Sequence, residues 1–434
     1  MKLKSFILLC YTLISMSVYS INSVEIGNLY YTLNSENNTA VVSPWWNAPV
    51  YQKRSYYGDI AIPANVTYNG VKYKVMGIEE GAFSGCVSVS SVTIANGITT
   101  IGPAAFQRCE EMTSIVIPNS ITSIGANAFE NCYSLSSITI PNGVKSIERY
   151  CFSGCHNLKT ITIPNTVKSV GEYAFWGCKK ITSISLTEGV SRINEYTFAE
   201  CENLVSISLP ATIKVIGESA FYDCKKLRSI TLSNNLTSIG KDAFMDCVSL
   251  TSVTIPNSVT SIGYRAFRDC KNLQNVILSN RVTEIIMETF MGCESLTTVI
   301  IPNSVKSIET RAFGFCSSLT SINIPNSVTN LENEVFDRCY SLTSVTLPSN
   351  ISIIDYALFR DCRSLRTITI PNRITRIDAA AFRGCNHLAS ITIPAQVEWI
   401  GENAFKDCSS LTIKVPEKFR GKVDVSDCKS VTYY

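Results

Sequence analysis

The sequence is poor in the residues that catalysis most often uses. Its 434 residues include only two histidines, His156 and His387, and neither lies in a nucleophile motif. There is no G-x-x-x-x-G-K-[ST] phosphate loop, no G-x-G-x-x-G turn and no H-E-x-x-H zinc motif. We therefore expect a chain without catalytic residues, metal site or cofactor, and we interpret acidic pairs such as Glu110 and Glu111 as solvated surface charge.

A strong charge of either sign is also missing. The chain carries 38 lysines and arginines against 35 aspartates and glutamates, which gives a net charge of +3. Because nucleic-acid binding depends on a concentrated basic surface, we expect no nucleic-acid partner. Hydrophobic residues make up 45% of the chain, which excludes a disordered polymer and allows a large core.

Long hydrophobic runs are confined to the start of the chain. Lys2 and Lys4 precede an apolar run from Phe6 to about Val18, and small residues follow it, as in a signal peptide. The alternative, a membrane anchor, is disfavoured because a spanning helix needs about 20 apolar residues. We predict a signal peptide over residues 1–20, no membrane span in the mature chain, and a secreted or cell-surface location.

What the sequence does contain is a repeat. Phenylalanine recurs every 23 residues from Phe83 to Phe405, and a cysteine follows each phenylalanine by three residues, from Cys86 to Cys408. The period has no slip across fifteen copies. Periods of about 20 to 50 residues are typical of solenoids, in which each unit buries its hydrophobic face against its neighbours.

One unit, which ends at Cys270, indicates how every copy folds. The segment SVTI at 252–255 alternates polar and apolar residues and is rich in β-branched side chains, which predicts a short strand. Pro256 ends this strand, residues 259–262 can form a second extended segment, and residues 263–269 suit a turn or a brief helical piece. Stacked units then give a parallel β-sheet on one face, with extended, turn and helical segments on the other.

The spacing L-x-x-V-x-I in LTSVTI, followed by IPNSVTSIGxxAFxxC, resembles the BspA-like leucine-rich repeat family of secreted and surface proteins. The resemblance covers residues 60 to about 415. It implies a leucine-rich repeat solenoid of about fifteen 23-residue coils with capped ends. It also implies adhesion, with extracellular or cell-surface proteins as partners, possible host matrix proteins among them.

The two ends depart from the repeat. Residues 21–59 are rich in tyrosine and tryptophan, and we predict an aromatic N-terminal cap there because an open solenoid end has to be covered. We predict the solenoid over 60–415 and a C-terminal cap over 416–434. A carbohydrate-binding platform is the alternative for the aromatic segment, which includes Trp45 and Trp46.

The periodic cysteines raise the question of disulfides. Side chains one repeat apart stack at about 4.8 Å but point the same way, whereas a disulfide needs two that point at each other. We therefore predict a ladder of buried free thiols that act as small core residues. The ladder's pairs include Phe83 with Cys86, Phe267 with Cys270, and Phe405 with Cys408.

The first candidate binding site lies where the outward sheet positions vary. Most of them hold Ser or Thr, which suits either a plain soluble strand or a hydrogen-bonding face. Ile277 and Ile300 replace Ser or Thr at one outward position in consecutive units, and Asn275 accompanies them. Exposed apolar clusters tend to mark interaction sites, so we predict contact with a partner here.

The second candidate is a row of aromatic residues. Tyr150, Tyr173 and Tyr196 occupy one position in three successive units, with Trp176 nearby. Packing on the flank of the solenoid is the alternative to ligand binding. Three functional hypotheses remain open: a protein-binding adhesin, a glycan-binding module, and a structural spacer or surface-layer protein without a specific ligand. The oligomeric state is not predicted.

Overall fold

The computed structural model describes residues 23–47 and 55–434, so the predicted signal peptide at 1–20 lies outside the described residues. Beyond a short N-terminal region, the chain is a β-solenoid in which successive 23-residue coils contribute strands to two parallel columns, except that residues 229–231 form no front strand. We call these the front column and the second column. The predicted repeat solenoid with a parallel sheet is therefore what the structure contains.

The N-terminal region starts the solenoid with antiparallel strands. Strand β1 pairs with β2, and β2 pairs with β3, all antiparallel. Strand β6 then opens the second column, with β5 as its hairpin partner, and β4 opens the front column. The ranges are β1 Ser23–Ile26, β2 Leu29–Asn34, β3 Thr39–Val42, β4 Gly58–Ile62, β5 Asn65–Tyr68 and β6 Val71–Ile78.

Front strands have a buried central residue between two exposed ones, which matches the alternating sequence pattern. The column is divided into several short parallel sheets, and within its repeat strands neighbours pair with a shift of 23 residues, so that Val253 lies beside Val276. The front strands after β4 are β7 Val89–Ile94, β9 Ser114–Val116, β11 Ser137–Thr139, β13 Thr160–Thr162, β15 Ser183–Ser185, β17 Ser206–Ser208, β20 Ser252–Thr254, β22 Asn275–Ile277, β24 Thr298–Val299, β26 Ser321–Asn323, β28 Ser344–Thr346, β30 Thr367–Ile368, β32 Ser390–Thr392, β34 Thr412–Val415 and β35 Ser430–Tyr433.

The strands of the second column are two residues long after β6, and each buries its second residue. They correspond to the predicted second extended segment. They are β8 Thr100–Ile101, β10 Ser123–Ile124, β12 Ser146–Ile147, β14 Ser169–Val170, β16 Arg192–Ile193, β18 Val215–Ile216, β19 Ser238–Ile239, β21 Ser261–Ile262, β23 Glu284–Ile285, β25 Ser307–Ile308, β27 Asn330–Leu331, β29 Ile353–Ile354, β31 Arg376–Ile377 and β33 Trp399–Ile400.

Of the two alternatives predicted around Phe267, a turn or a brief helical piece, the structure contains the turn. Two residues per coil have a positive φ: the residue two before the phenylalanine and the residue before the cysteine, such as Arg265 and Asp269 at 55° each. A left-handed residue interrupts a right-handed helix, so the segment forms turns. In the described chain, the only helical segments are single 3-10 turns at Trp45–Asn47 and Glu417–Phe419.

The interior of the solenoid is a stack of identical side chains. Rings from Phe83 to Phe405 stack nearly parallel, with successive centroids 5.0 to 6.0 Å apart. Each thiol from Cys109 to Cys408 donates to the carbonyl oxygen of the phenylalanine in the preceding coil, at 3.1 to 3.3 Å. Cysteine therefore adds a weak hydrogen bond between coils to its apolar packing.

Both ends of this stack are covered by variants of the same arrangement. At the N-terminal end, Tyr56 lies 4.6 Å from Phe83 between ring centroids, and its hydroxyl donates to the Ser43 carbonyl at 2.9 Å. At the C-terminal end, the Cys428 amide donates to the Val425 carbonyl, as the repeat cysteine amides from Cys86 to Cys385 do to the phenylalanine three residues earlier. The last residues thus form a shortened coil that ends in β35.

Candidate functional site

The front column presents an uncharged face of hydroxyl groups. In β11 the outward residues Ser137 and Thr139 are exposed around the buried Ile138, and most front strands repeat this pattern. The outward positions of strands β7 to β32 are Ser, Thr, Asn, Val or Ile. Such a surface can donate and accept hydrogen bonds but cannot attract a ligand by charge.

Ile277 and Ile300 interrupt this face with apolar side chains. Val276 pairs with Val299, so the two isoleucines that follow stand side by side on neighbouring strands. Their side chains are 62% and 84% exposed, and Asn275 at the other outward position of β22 is also exposed. Burying an isoleucine side chain stabilises by about 1.5–3 kcal/mol relative to leaving it in water, so a partner surface that covers these two residues can gain this free energy from each.

A third apolar residue occupies the same outward position in another coil. Val116, the last residue of β9, is 59% exposed and lies seven repeats before Ile277. Sequence reasoning missed it, although counting back by 23 residues from Ile277 would have found it. Val116 has only Thr93 and Thr139 beside it in its row, so it offers a smaller apolar surface than the isoleucine pair.

The structure brings the three predicted tyrosines together as a stack on the turn flank. Ring centroids are 4.6 Å apart between Tyr150 and Tyr173 and again between Tyr173 and Tyr196. All three residues have a φ near 55°, because they occupy the left-handed position two before each phenylalanine. The Arg149 guanidinium lies 4.9 Å from the Tyr150 ring centroid, and burial among neighbouring phenols raises the pKa of Tyr173.

This stacking limits what the tyrosines can bind. A sugar ring stacks on an aromatic face, but both faces of Tyr173 are covered by its neighbours and one face of Tyr150 is covered by Arg149. The tyrosines are half-buried and present mainly their hydroxyl edges. Trp176 is half-buried on the same turn and makes no ring contact with the row. These four residues therefore favour flank packing.

Farther along, the tyrosine position is taken by charged residues of alternating sign. Arg265, Glu288, Arg311 and Glu334 follow one another in consecutive coils. Arg265 Nε donates to Glu288 at 2.8 Å, and Arg311 pairs with Glu334 at 2.8 Å. Both glutamates are almost fully buried. Sequence reasoning missed these ion pairs because their partners lie one repeat apart.

One further ion pair is more deeply buried. Asp337 is 0% exposed and accepts two hydrogen bonds from Arg360, at 2.8 Å from Nε and 2.7 Å from Nη2. Arg360 also reaches Glu334 at 2.8 Å. Hydrogen bonding to Asp337 raises the pKa of Arg360, so this side chain stays charged under all ordinary conditions.

The periodic thiols are not in a reactive environment. All the cysteines of the described chain are free, and those of the ladder are buried. Burial raises the pKa of Cys155, Cys201 and Cys316 to about 12 each, so these thiols carry almost no thiolate at neutral pH. Across residues 23–47 and 55–434, no three His, Cys, Asp or Glu side chains are grouped to hold a metal ion.

No helix within the described ranges has the length and apolar character needed to cross a membrane. The front face with its isoleucine pair and the flank with its stacked and charged rows are the two surfaces on which a binding site can be built.

The repeat matches a family model described as the BspA type leucine-rich repeat region, over residues 76–205, 191–318 and 283–412. A leucine-rich repeat protein from Bacteroides ovatus is 30% identical, with a TM-score of 0.75, over 95% of this chain and 99% of that one. A leucine-rich cell surface protein from Faecalibacterium prausnitzii is 25% identical over 95% and 94% of the two chains, with a TM-score of 0.45. A leucine-rich repeat protein of T. pallidum is 27% identical over 46% and 88%, with a TM-score of 0.41. No curated protein matches the chain.

Proposed function

Because the chain belongs to the BspA-type leucine-rich repeat family, we propose that it is a secreted or cell-surface adhesin whose front face binds an extracellular or cell-surface protein. Host matrix proteins are the first class of partner to test. The proposal involves no catalysis: the ladder thiols are buried and protonated, and the front face carries hydroxyl groups rather than acid–base pairs.

The observation that carries this proposal is the exposure of Ile277 beside Ile300 on a face that is otherwise polar. Binding energy at protein interfaces is concentrated in a few residues that lose all contact with water, and polar neighbours form the rim. Asn275 and Thr298, which pair in register beside the isoleucines, fit such a rim. The long array of hydroxyl groups on either side can add many weak contacts.

Binding of the full chain to a panel of immobilised extracellular-matrix and clotting proteins tests the proposal. We expect the double variant Ile277→Asp, Ile300→Asp to weaken binding by more than about tenfold, because it places charge in the centre of the contact. The control is Val116→Asp, which puts one such charge at the same repeat position away from the pair. Equal losses in the two variants, or none, would contradict the proposed site.

The structural-spacer hypothesis makes a different prediction. A spacer or surface-layer protein would self-associate and show no heterologous partner. Light scattering of the purified chain distinguishes the two, since an adhesin of this kind stays at one mass across a concentration series in the absence of its partner. Growth in mass with concentration, together with an empty binding panel, would favour the spacer.

A further inference from the structure

A groove of about 410 Å³ opens at the C-terminal end of the front face. It lies between the coils of β30 and β32, whose strands pair through Thr367 and Ser390. The buried Ile368 and Ile370 line its floor. Its polar lining is provided by Thr369, Asn372, Ser390, Thr392 and Gln396.

An aromatic ring closes one end of this groove. Tyr434 follows β35, its amide donates to the Val415 carbonyl at 3.1 Å, and its hydroxyl donates to the Ile393 carbonyl. These two bonds fix the orientation of the ring, which remains 54% exposed. In contrast to Tyr173, no other aromatic ring in the described chain stacks on Tyr434, and about half of its surface is open to a ligand.

The chemistry of the lining selects a class of ligand. Hydroxyl and side-chain amide groups both donate and accept hydrogen bonds, which suits a ligand with many hydroxyl groups. A free tyrosine face suits the C–H surface of a sugar ring, since an aromatic side chain combines apolar area with a polar edge. No Asp or Glu side chain lines the groove. A pocket of this size is in the range of small-ligand sites.

Basic side chains surround the groove. Lys414 stands beside Thr392 in the parallel register of β32 and β34, and Arg373 follows Asn372 in the turn after β30. Both are exposed, and within the described residues neither has an acidic partner. Lys418 lies on the third side, where its Nζ donates to the Ala395 carbonyl at 2.8 Å. The local charge therefore favours an anion, unlike the uncharged face around Ile277.

We infer that this groove binds an acidic oligosaccharide, with one sugar ring against Tyr434 and its carboxylate or sulfate group near Lys414 and Arg373. The site differs from the proposed protein-binding site in position, charge and ligand. It can therefore be present or absent independently of the adhesin function.

Calorimetric titration of the full chain with a hexasaccharide of alternating glucuronate and N-acetylglucosamine tests the inference, with the neutral N-acetylglucosamine hexamer as comparator. We expect the acidic sugar to bind more tightly, and binding to weaken as salt is added. Lys414→Gln should lower affinity about fivefold, and Tyr434→Ala about tenfold. Tyr434→Phe keeps the ring and should retain most of the binding.

Two controls separate this site from others. Lys422→Gln removes an exposed lysine of the same C-terminal region that, unlike Lys414, is not in a strand paired with a groove residue, and it should leave affinity unchanged. The Ile277→Asp, Ile300→Asp variant should also bind the sugar normally. The inference is overturned by no binding of the acidic hexasaccharide, by equal affinity for the neutral one, or by equal losses in Lys414→Gln and Lys422→Gln, which would indicate general attraction to polyanions.

Discussion

The interior and the turn flank of each coil share one backbone but differ in how much sequence change they accept. Inside, Phe and Cys recur in every coil, because ring stacking and the thiol hydrogen bond both depend on those side chains. On the flank, the left-handed position holds tyrosine, arginine, glutamate, alanine and others with a φ between 49° and 64°. The interior positions are thus restricted to side chains that fit the stack. The flank position is restricted only in its backbone conformation, so its side chain can vary.

Within the flank, two stretches fill the same position by different chemistry. From Tyr150 to Tyr196 the side chains stack as rings, and from Arg265 to Glu334 they pair as opposite charges. Both arrangements supply contacts between neighbouring coils. The contacts of the flank therefore join pairs of neighbouring coils, whereas those of the interior run through the whole stack. Disrupting the flank should destabilise a few coils, and disrupting the interior should destabilise the whole solenoid.

Alkaline pH should have the largest effect, because it acts on the whole interior at once. The folded pKa of thiols such as Cys155 is raised to about 12, whereas an unfolded thiol has a pKa of about 8.5. This contribution to stability is complete below about pH 8.5 and falls as the pH rises toward 12, since the unfolded state releases its protons first. Over this interval, the contribution of each thiol to the free energy of unfolding falls by about 1.4 kcal/mol per pH unit.

Summed over the ladder, that loss exceeds a net stability of about 5–15 kcal/mol, so we expect cooperative unfolding before about pH 11. Circular dichroism during an alkaline titration measures it, and iodoacetamide labelling in parallel should show the thiols becoming reactive in the same interval. Recovery of the spectrum on return to neutral pH controls for chemical damage. A folded spectrum with unreactive thiols at pH 11 would show that the ladder does not govern stability.

Arg360→Ala should have an intermediate effect that is local to the flank. It leaves the fully buried Asp337 without a cationic partner, whereas Glu334 keeps its pair with Arg311, and breaking such a buried pair costs about 3–5 kcal/mol. The midpoint of urea unfolding should fall accordingly. Arg363→Ala is the matched control, because its 3.8 Å pair with Asp361 is largely exposed and should contribute less than about 1 kcal/mol. Similar shifts in both variants would remove the distinction between buried and exposed pairs.

Ala104→Gly should have the smallest effect, and of opposite sign. Ala104 has a φ of 49°, a conformation that costs an L-residue about 1–2 kcal/mol and glycine almost nothing. Glycine also makes the unfolded chain more flexible, which offsets part of this benefit. We therefore expect the free energy of unfolding, measured by thermal unfolding, to rise by up to about 1 kcal/mol. The adjacent Ala105→Gly should instead destabilise, because Ala105 is buried and has no positive φ. Destabilisation by both would mean that the flank position needs its side chain.

The fold could be predicted because its cause lies within one repeat. The SVTI alternation and the fixed spacing of Phe267 and Cys270 specify a strand and a core position directly. The left-handed residues were harder to predict, because Tyr150 and Arg265 carry no local sign of a positive φ. Glycine, Asn and Asp before many of the cysteines, such as Asp223, gave a partial signal for the second position.

The candidate surface residues also divide into those that the sequence of one repeat indicates and those that depend on contacts between coils. The isoleucine pair could be located because outward and inward positions alternate along a strand. The ion pair of Arg360 with Asp337 depends on side chains that meet across two coils, and nothing within one repeat indicates it. The groove at Tyr434 is lined by residues of the β30 and β32 coils and by the chain end after β35, so it could be found only from the structure.

The thiol bond from each cysteine to the preceding coil has a consequence for how such proteins change in length. Every interior boundary looks the same: Cys270 donates to Phe244 as Cys293 donates to Phe267. If 23 residues were removed or duplicated in register, each thiol would still have a phenylalanine carbonyl of the preceding coil as its hydrogen-bond acceptor, and the end segments would be unchanged. Gene slippage in units of one repeat can therefore lengthen or shorten the molecule, and so adjust its reach, without creating a new folding problem.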